Sequence, residues 1–281
     1  MIPTGKKYFV DDVYEYVFKN SCLKRLFNMK ILVPTKIVPD PDQPIRLDPS
    51  GRALDLKGIP CIINPFDAIA IEEALRIRDE QRMGHGDVEV VSVGIASKSF
   101  EKDLRIALAM GVDRLIHVVT EAYVDSWAAS LILKAVTEKE NPDIILMGKQ
   151  AIDTDGNQTG QFLAAHLEWP QATFASQIKF DNSQVIVNRE TDLGIEVVSM
   201  QLPCLVTADL RLNEPRYASL PAIMKAKRRE IDTISPDELG AAIESKVEVL
   251  SMETVSSKRH CVRVRSVTEL VQKLKENGVL N

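Results

Sequence analysis

The chain has 281 residues, of which 45% are hydrophobic and 27% charged, and a formal net charge of −5. This length allows one large core or two domains, while the acidic balance argues against a nucleic-acid surface. The four cysteines are scattered without a C-x-x-C pair and the four histidines lie outside ligand spacing, which argues against a zinc site and favours free thiols in a reducing compartment. No apolar run approaches eighteen residues, which argues against a transmembrane helix.

Residues 1–28 are predicted to be an extension of unknown role. The acids Asp11, Asp12 and Glu15 and the lack of an apolar core argue against a secretory signal. A single arginine among these acids also makes the segment a poor mitochondrial transit peptide. A strand pattern follows Met29 at once, so we place the start of the main domain there, over residues 29–210.

From Lys30 onward, strand and helix patterns alternate along the chain. Strands are predicted at 31–33, 88–93, 115–119 and 143–147, and helices at 65–81, 100–110 and 125–138. Asn64 is a candidate N-cap with Pro65 at the first helical position, and Gly111 is placed to end the second helix. Residues 40–57 are predicted to be a loop with at most short hairpin strands. The alternation predicts an α/β fold with a parallel sheet flanked by helices.

Ligands of such sheets bind beyond the carboxyl ends of the strands. The pairs at 34–35, 93–94 and 148–149 lie at such ends, and we expect them to converge on one crevice. Gly84-His85-Gly86 lacks the spacing of a dinucleotide fingerprint, and Gly148-Lys149 lacks the upstream glycine of a P-loop. A nucleotide in this crevice would therefore bind without either device.

Residues 143–170 contain a strand, a polar loop and an amphipathic helix that Pro170 is expected to stop. Asp155 is predicted as the N-cap of this helix, with Gln158 reaching back as in a capping box. The backbone amides of 156–159 would then face the mouth of the loop and suit an anion. A capped strand-to-helix connection that binds nothing is the alternative from pattern alone.

After Pro170 the pattern changes to period two. Strands are predicted at 173–180, 184–189 and 195–200, joined by turns at 181–183 and 192–194, and followed by a buried strand at 204–207. Residues 211–281 are polar, with a final helix at 267–276 ended by Asn277-Gly278. A tail of this length without a core is expected to be an arm that wraps another subunit, and a disordered tail is the alternative.

Three separated motifs carry a family resemblance. They are GKQAIDTDGNQT at 148–159, VNRETDLGIEVVSMQLPCLVT at 187–207 and ADLRLNEPRYASLPAIMKAK at 208–227. Together they closely resemble the beta subunit of electron transfer flavoprotein, of the AMP-binding mitochondrial and proteobacterial type. The likeness covers nearly all of the chain after Met29. It departs at Leu193, where the family's turn usually has a small or acidic residue.

The resemblance implies a Rossmann-like fold of the adenine nucleotide alpha hydrolase type, with a β-hairpin region and an extended C-terminal arm. It also implies a heterodimer whose alpha subunit carries the redox-active FAD, while this subunit binds one AMP that serves assembly and stability. The implied AMP pocket consists of Gly148, Lys149, Gln150, Ala151, Ile152, Asp153, Thr154, Asp155, Gly156, Asn157, Gln158 and Thr159, completed by Pro34, Asn64, Pro65, Phe66, Asp67 and Val93. Phe66 would also lie towards the flavin, and Pro41 stands where the family has a nearby aromatic.

The third motif resembles the recognition loop by which the flavoprotein binds its dehydrogenases. Leu220 matches the apolar anchor residue, and without the family a leucine packed on its own subunit would be the simpler interpretation. The surrounding residues that the resemblance assigns to this loop and its short helix are Tyr217, Ala218, Ser219, Pro221, Ile223, Met224 and Lys225. Glu190 matches a glutamate that pairs with an arginine of the alpha subunit; by itself it is an exposed strand acid.

The resemblance implies an electron carrier subunit rather than a substrate-converting enzyme. Electrons would pass from acyl-CoA dehydrogenases through the alpha-bound FAD to a membrane quinone oxidoreductase, in a bacterial cytoplasm or a mitochondrial matrix. No residue is assigned as an acid, base or nucleophile, and His117 and His166 are interpreted as strand and helix residues. Two alternatives stay open: a bifurcating-type subunit with a second FAD and an NADH site, and a stand-alone adenine-nucleotide-binding regulator.

Overall fold

The computed structural model describes residues 28–83, 87–181, 184–241, 244–254 and 261–280. The extension before Asn28, the Gly84-His85-Gly86 stretch and part of the predicted turn at 181–183 lie outside these residues. Contacts divide the chain into two units. Among the described residues, one unit consists of those up to Pro44 together with those of Leu56–Glu248, and the other of Ile45–Asp55 together with the described residues of Val249–Asn281.

The first unit contains the sheet and most of the helices. Its strands are β1 (Asn28–Pro34), β2 (Ile37–Pro39), β3 (Cys61–Ile63), β4 (Asp87–Ala96), β5 (Arg114–Val119), β6 (Ile144–Gly148), β7 (Gln171–Asp181), β8 (Gln184–Thr191), β9 (Gly194–Gln201), β10 (Cys204–Ala208) and β11 (Asp232–Ile234). Its helices are α1 (Pro65–Met83), α2 (Glu101–Met110), α3 (Ser126–Glu140), α4 (Thr159–Leu167) and α5 (Leu220–Ala226), with 3-10 turns at Lys98–Phe100 and Asp237–Leu239.

The central sheet has nine strands in the order β11-β5-β4-β1-β6-β10-β7-β8-β9. The strands from β11 to β7 run parallel, and β8 and β9 are added antiparallel. Alternate residues of β1 enter the cores on opposite faces: Ile31 and Val33 pack with α1 and α2, whereas Leu32 packs with α3 and α4. Burial on both faces explains the continuous apolar runs of these strands. The predicted α/β fold with a parallel, Rossmann-like sheet flanked by helices is confirmed.

β9 forms one edge of this sheet. Its pairing with β8 leaves its outer side without a strand partner among the described residues. Ile195 and Val197 are exposed on it, and Leu193 in the preceding turn is fully exposed. The predicted hairpin strands are confirmed, with β7 three residues longer than the period-two pattern and β8 and β9 two residues longer.

Two details of the predicted helices are wrong. α4 begins at Thr159 with Gln158 as its N-cap residue, because Asp155 and Asn157 adopt the left-handed region (φ 52° and 48°) and cannot start the helix. The helix also ends at Leu167, before Pro170, where a left-handed Glu168 donates its amide to the carbonyls of Ala164 and Ala165. This left-handed cap satisfies the last carbonyls without the proline.

The segment after β10 also differs from the sequence expectation. β11 was not predicted, and it pairs parallel with β5 through Thr233 and His117. Residues 211–248 group with the first unit. The boundary at residue 211 stays a prediction.

The second unit contains a small antiparallel bridge and the final helix. Leu47 pairs with Leu54, and the amide of Met252 donates to Gly51 O at 2.8 Å. The helix α6 (Val267–Glu276) has the predicted bounds, with the Ser266 side chain accepting the amide of Glu269 as its N-cap. None of the described helices is long and apolar enough to cross a membrane.

Candidate functional site

The carboxyl ends of β1, β4 and β6 meet at one edge of the sheet. The amide of Thr35, after β1, donates to Val93 O of β4 at 2.8 Å. Asp67, in the first turn of α1, accepts the amide of Lys36 at 2.8 Å and the amide of Gly148 at 3.0 Å. The predicted convergence of the three strand ends is therefore confirmed, and the carboxylate of Asp67 joins two of them.

Asp67 is almost fully buried in this position. Burial raises its pKa to about 7, although hydrogen bonds from Lys36, Asn64 and Gly148 act in the opposite direction. Gly148 leaves no room for a side chain here, since a Cβ would lie 2.4 Å from Asp67 Oδ1 and 2.6 Å from Phe66 Cβ. The start of the loop after β6 is thus packed directly against α1.

Asn64 holds the loop after β6 with its side chain. Its Nδ2 donates to Gln150 O at 2.8 Å, and its Oδ1 accepts the amide of Ile152 at 3.2 Å. Its backbone carbonyl accepts the amides of Asp67 and Ala68, so it starts α1 through its main chain. Pro65 takes the first helical position, as predicted.

We call residues 148–159 the nucleotide loop, after the role that the sequence predicts for them. Its middle is held by an ion pair from Lys36 Nζ to Asp153 at 2.7 Å and by the amide of Asp155, which donates to Ala151 O at 2.8 Å. The Gln150 side chain donates to the Asp155 carboxylate. The Asp155 side chain, which was expected to cap the helix, therefore accepts a hydrogen bond inside the loop instead.

The end of the nucleotide loop presents unpaired donors. The backbone amides of 156–161 lie at and just before the start of α4, and among the described residues they have no hydrogen-bond acceptor. The hydroxyl of Thr159 also has no partner among them, while Asn157 Oδ1 accepts the side chain of Gln161 at 3.0 Å. Gly160 packs this helix start onto the sheet, since a Cβ there would lie 2.9 Å from Thr207 Cγ2. Unpaired amides at the positive end of a helix are suited to an anion.

The Lys149 side chain is paired within the chain. Its Nζ pairs with Asp209 Oδ2 at 2.8 Å and lies 5.2 Å and 5.0 Å from the ring centroids of Phe66 and Phe174. The structure thus gives Lys149 an ion pair and two cation–π contacts within the chain. Phe66 itself is buried beneath this ammonium group.

A second exposed region follows β10, and we call residues 213–229 the recognition segment. Ala218, Ala222, Ile223 and Ala226 of this segment pack on the core. Opposite them, Tyr217, Leu220 and Met224 are 97%, 73% and 49% exposed, and we call these three residues the docking face. Ser219 accepts the amide of Ala222 as the N-cap of α5, with Pro221 in the first turn and Lys225 exposed in the last. Leu220 is therefore free for contact and is not packed on its own chain.

Glu190 and the two histidines occupy ordinary structural positions. The Glu190 carboxylate accepts a hydrogen bond from Arg211 of the same chain. His117 is buried in β5 with Nε2 3.1 Å from Ala96 O, and His166 lies in α4 with its ring against Trp127. Within the described residues, no group of His, Cys, Asp and Glu side chains could hold a metal ion.

Comparison with known proteins agrees with this architecture. The family described as "Electron transfer flavoprotein domain" matches residues 54–239. Electron transfer flavoprotein subunit beta of Bradyrhizobium diazoefficiens is 46% identical over 253 residues, covering 90% of this chain and 100% of that protein. The human subunit beta is 43% identical, covering 89% and 98%, and the mitochondrial subunit beta of Arabidopsis thaliana is 45% identical, covering 89% and 99%. The chain belongs to the electron transfer flavoprotein family, as a beta subunit.

Several residues that shape these regions were not found from the sequence. Lys36, Phe174 and Asp209 were overlooked around the nucleotide loop, and Glu72 and Arg216 around the recognition segment. Each acts through a partner far away in the chain, such as Lys36 with Asp153, 117 residues later. No local pattern marks such pairs, although the family resemblance located the segments that they hold.

Proposed function

We propose that this beta subunit forms a heterodimer with an electron transfer flavoprotein alpha subunit, binds one AMP in the nucleotide loop, and serves as an electron carrier subunit rather than a substrate-converting enzyme. In this proposal FAD, held mainly by the alpha subunit, supplies the redox chemistry. Electrons arrive from acyl-CoA and related dehydrogenases and leave to a membrane quinone oxidoreductase. The compartment would be the cytoplasm of a bacterium or the mitochondrial matrix of a eukaryote.

The unpaired amides of 156–161 are the observation that carries the AMP assignment. A phosphate monoester would satisfy several of them at once, together with the Thr159 hydroxyl, at the positive end of α4. Asp67 joins the segment after Pro34 to the start of the loop, and the amide of Thr35 joins the same segment to Val93. We propose that the adenosine extends from the loop towards these strand ends. We assign Asn64 and Asp67 to holding the loop and Lys149 to packing, so the phosphate contacts fall to residues 156–159.

The docking face supports the assignment of a protein donor. The fully exposed Tyr217 precedes the short, capped helix α5, and together with the exposed Leu220 and Met224 of that helix it forms an apolar surface. Such surfaces mark sites of protein contact, and aromatic and apolar anchors carry most of the binding energy at small interfaces. We propose that Leu220 inserts into a pocket of the dehydrogenase.

The C-terminal arm is proposed to contact the alpha subunit. In the second unit, the helix α6 exposes Val267, Leu270 and Val271. An amphipathic helix with an exposed apolar stripe needs a partner surface to be stable. We further propose that Glu190, already paired with Arg211, also meets an arginine of the alpha subunit.

The experiment that tests this function is to identify the small molecules released from the purified complex. After coexpression with the alpha subunit, we expect one AMP and one FAD for each heterodimer. Two flavins and no AMP would indicate the bifurcating type instead. A chain that purifies as a stable monomer without a flavin subunit would indicate a stand-alone nucleotide-binding regulator.

A further inference from the structure

The recognition segment is held at both ends by side chains of the two helices beneath it. α1 supplies Glu72 and Glu73 at the beginning of the segment, and α2 supplies Arg105 at its end. Every contact described below lies within the first unit.

At the beginning, Glu72 binds Arg216, the residue before the docking face. Oε2 of Glu72 accepts Arg216 Nε at 2.7 Å and the backbone amide of Arg216 at 3.1 Å. Oε1 accepts Arg216 Nη2 at 3.2 Å and Arg76 Nε at 3.0 Å. Each carboxylate oxygen thus receives two donors, and only 5% of the Glu72 side chain is exposed. Fork-like contacts between an arginine and a carboxylate fix orientation as well as distance.

The electrostatics of Glu72 agree with this geometry. Burial alone would raise the pKa of Glu72, but hydrogen bonds from Arg216 and Arg76 outweigh it and hold the pKa below its ordinary value. The carboxylate is therefore charged at neutral pH. Arg216 also contacts Asp79 Oδ2 at 3.3 Å, which orients the outer side of its guanidinium group.

At the end of the segment, Arg105 binds one carbonyl in the last residue of α5 and one just after the helix. Its Nη1 donates to Ala226 O at 3.0 Å and to Arg229 O at 2.6 Å, while Glu101 pairs with its other nitrogens. Arg229 in turn donates to the carbonyls of Val112 and Asp113. Both ends of a short helix are thus tied to the core, although seven residues are too few for such a helix to be stable alone.

We propose that Glu72 is a positioning residue for the docking of the electron donor: it holds Arg216 so that Tyr217, Leu220 and Met224 are presented as a preformed surface. This inference rests on the proposed function. A surface that is already ordered avoids the entropy cost of ordering it during binding. Without the Glu72 contacts, the docking face would have to be ordered by the donor itself, which raises KM and leaves the electron-transfer step unchanged.

The test compares Glu72→Gln with Glu140→Gln in the heterodimer with the alpha subunit. Glu140 is a matched control, because it is a carboxylate with 8% of its side chain exposed that binds Lys30 and Arg114, neither of which belongs to the recognition segment. Reduction by an acyl-CoA dehydrogenase gives KM for the flavoprotein and kcat. We expect Glu72→Gln to raise KM about tenfold, equivalent to about 1.4 kcal/mol, with kcat unchanged. Glu140→Gln should leave KM unchanged, and reduction by dithionite should be the same for both variants.

A double variant separates positioning from general destabilisation. If Glu72 acts through the docking face, Glu72→Gln should have little further effect on KM in a Leu220→Ala background. Arg216→Lys, which keeps the charge but loses the forked contacts, should also raise KM and serves if Glu72→Gln fails to fold.

Four outcomes would overturn the inference. They are an unchanged KM in Glu72→Gln, an equal rise in Glu140→Gln, full additivity with Leu220→Ala, and, where Arg216→Lys replaces Glu72→Gln, an unchanged KM in that variant. If Leu220→Ala alone leaves KM unchanged, the docking face is not used and the proposed recognition role fails as well. If Leu220→Ala raises KM and Glu72→Gln does not, only the positioning role of Glu72 fails.

Discussion

The nucleotide loop and the recognition segment are both held from the same helix, α1, but they leave different groups unsatisfied. Asn64 and Asp67 hold the loop by its main chain, and the loop ends in backbone donors that have no acceptor in the part of the chain that the structure describes. Glu72 holds the segment by an arginine, and the segment ends in exposed apolar side chains. Backbone amides without acceptors suit a small anion, whereas exposed apolar side chains suit contact with a protein surface. The same helix can thus prepare two sites for two classes of ligand, and the following substitutions test that division.

The largest effect is expected at Gly148, where the nucleotide loop begins. In Gly148→Ala the new Cβ would overlap Asp67 and the main chain of Phe66, so α1 and β6 must move apart. Such overpacking costs about 1–3 kcal/mol. We expect a lower midpoint in urea unfolding and loss of AMP. Gly194→Ala is the control for glycine replacement itself, because nothing lies within 4 Å of its Cβ position and its φ of 122° supplies only local strain. An unfolding midpoint of Gly148→Ala equal to that of the wild-type chain would contradict the tight packing at Gly148.

Leu220→Ala tests the docking face. Truncation of an anchor residue costs about 2 kcal/mol, which is roughly a 30-fold loss in kcat/KM for reduction by the dehydrogenase. The FAD content should stay intact, because Leu220 is exposed and does not pack in the core. Leu193→Ala, at a fully exposed leucine in the turn before β9, should leave the kinetics unchanged. Unchanged reduction of Leu220→Ala would refute the anchor role.

Gln158→Glu tests whether the open amides bind a phosphate. A carboxylate at the start of α4 stabilises the helix by about 0.3–1 kcal/mol, but it would repel a phosphate at the same amides. We expect AMP content to fall to a minor fraction, with Gln158→Ala retaining more. Chromatography of the released nucleotides measures both. Full AMP retention in the charged variant would place the phosphate elsewhere.

The raised pKa of Asp67 predicts that the free energy of unfolding depends gradually on pH. Its pKa of about 7 lies above the ordinary 3.8, so the folded chain keeps a proton that the unfolded chain releases. Its contribution to stability is therefore complete below pH 3.8, declines as pH rises to about 7, and is constant above that. Asp67→Asn should lose this slope, seen as unfolding midpoints measured from pH 5 to 8. The Asp67→Asn variant should also be less stable than the wild-type chain at low pH, because one acceptor oxygen becomes an amide donor that faces a backbone N–H. A wild-type slope in the variant would assign the pH dependence to another group.

Much of the fold could be predicted because its signals are local. The Asn277-Gly278 pair marks the end of α6, and the alternation of apolar runs predicted the parallel sheet and its converging strand ends. The predicted N-cap at Asp155 was wrong. An aspartate three residues before a glutamine indicates a capping box, but this pattern does not show whether the backbone can start a helix there.

What the sequence could not give is the pairing of distant side chains. Glu72 and Arg216 are 144 residues apart, and Lys149 and Asp209 are 60 residues apart. Nothing in the local sequence links either pair, so the bracing of the recognition segment and the position of the Lys149 ammonium group required the folded chain. The exposure of Leu220 was expected only from the family resemblance, since leucine by itself favours the core.

The open edge at β9 has a consequence for handling the protein. The outer main-chain groups of β9 have no strand partner within the described ranges, and Ile195 and Val197 are exposed, so this strand can pair with the same strand of another molecule. When the chain is produced without a partner subunit, we expect concentration-dependent self-association, visible as light scattering. A Val197→Lys substitution should reduce this self-association and improve the yield of dispersed protein.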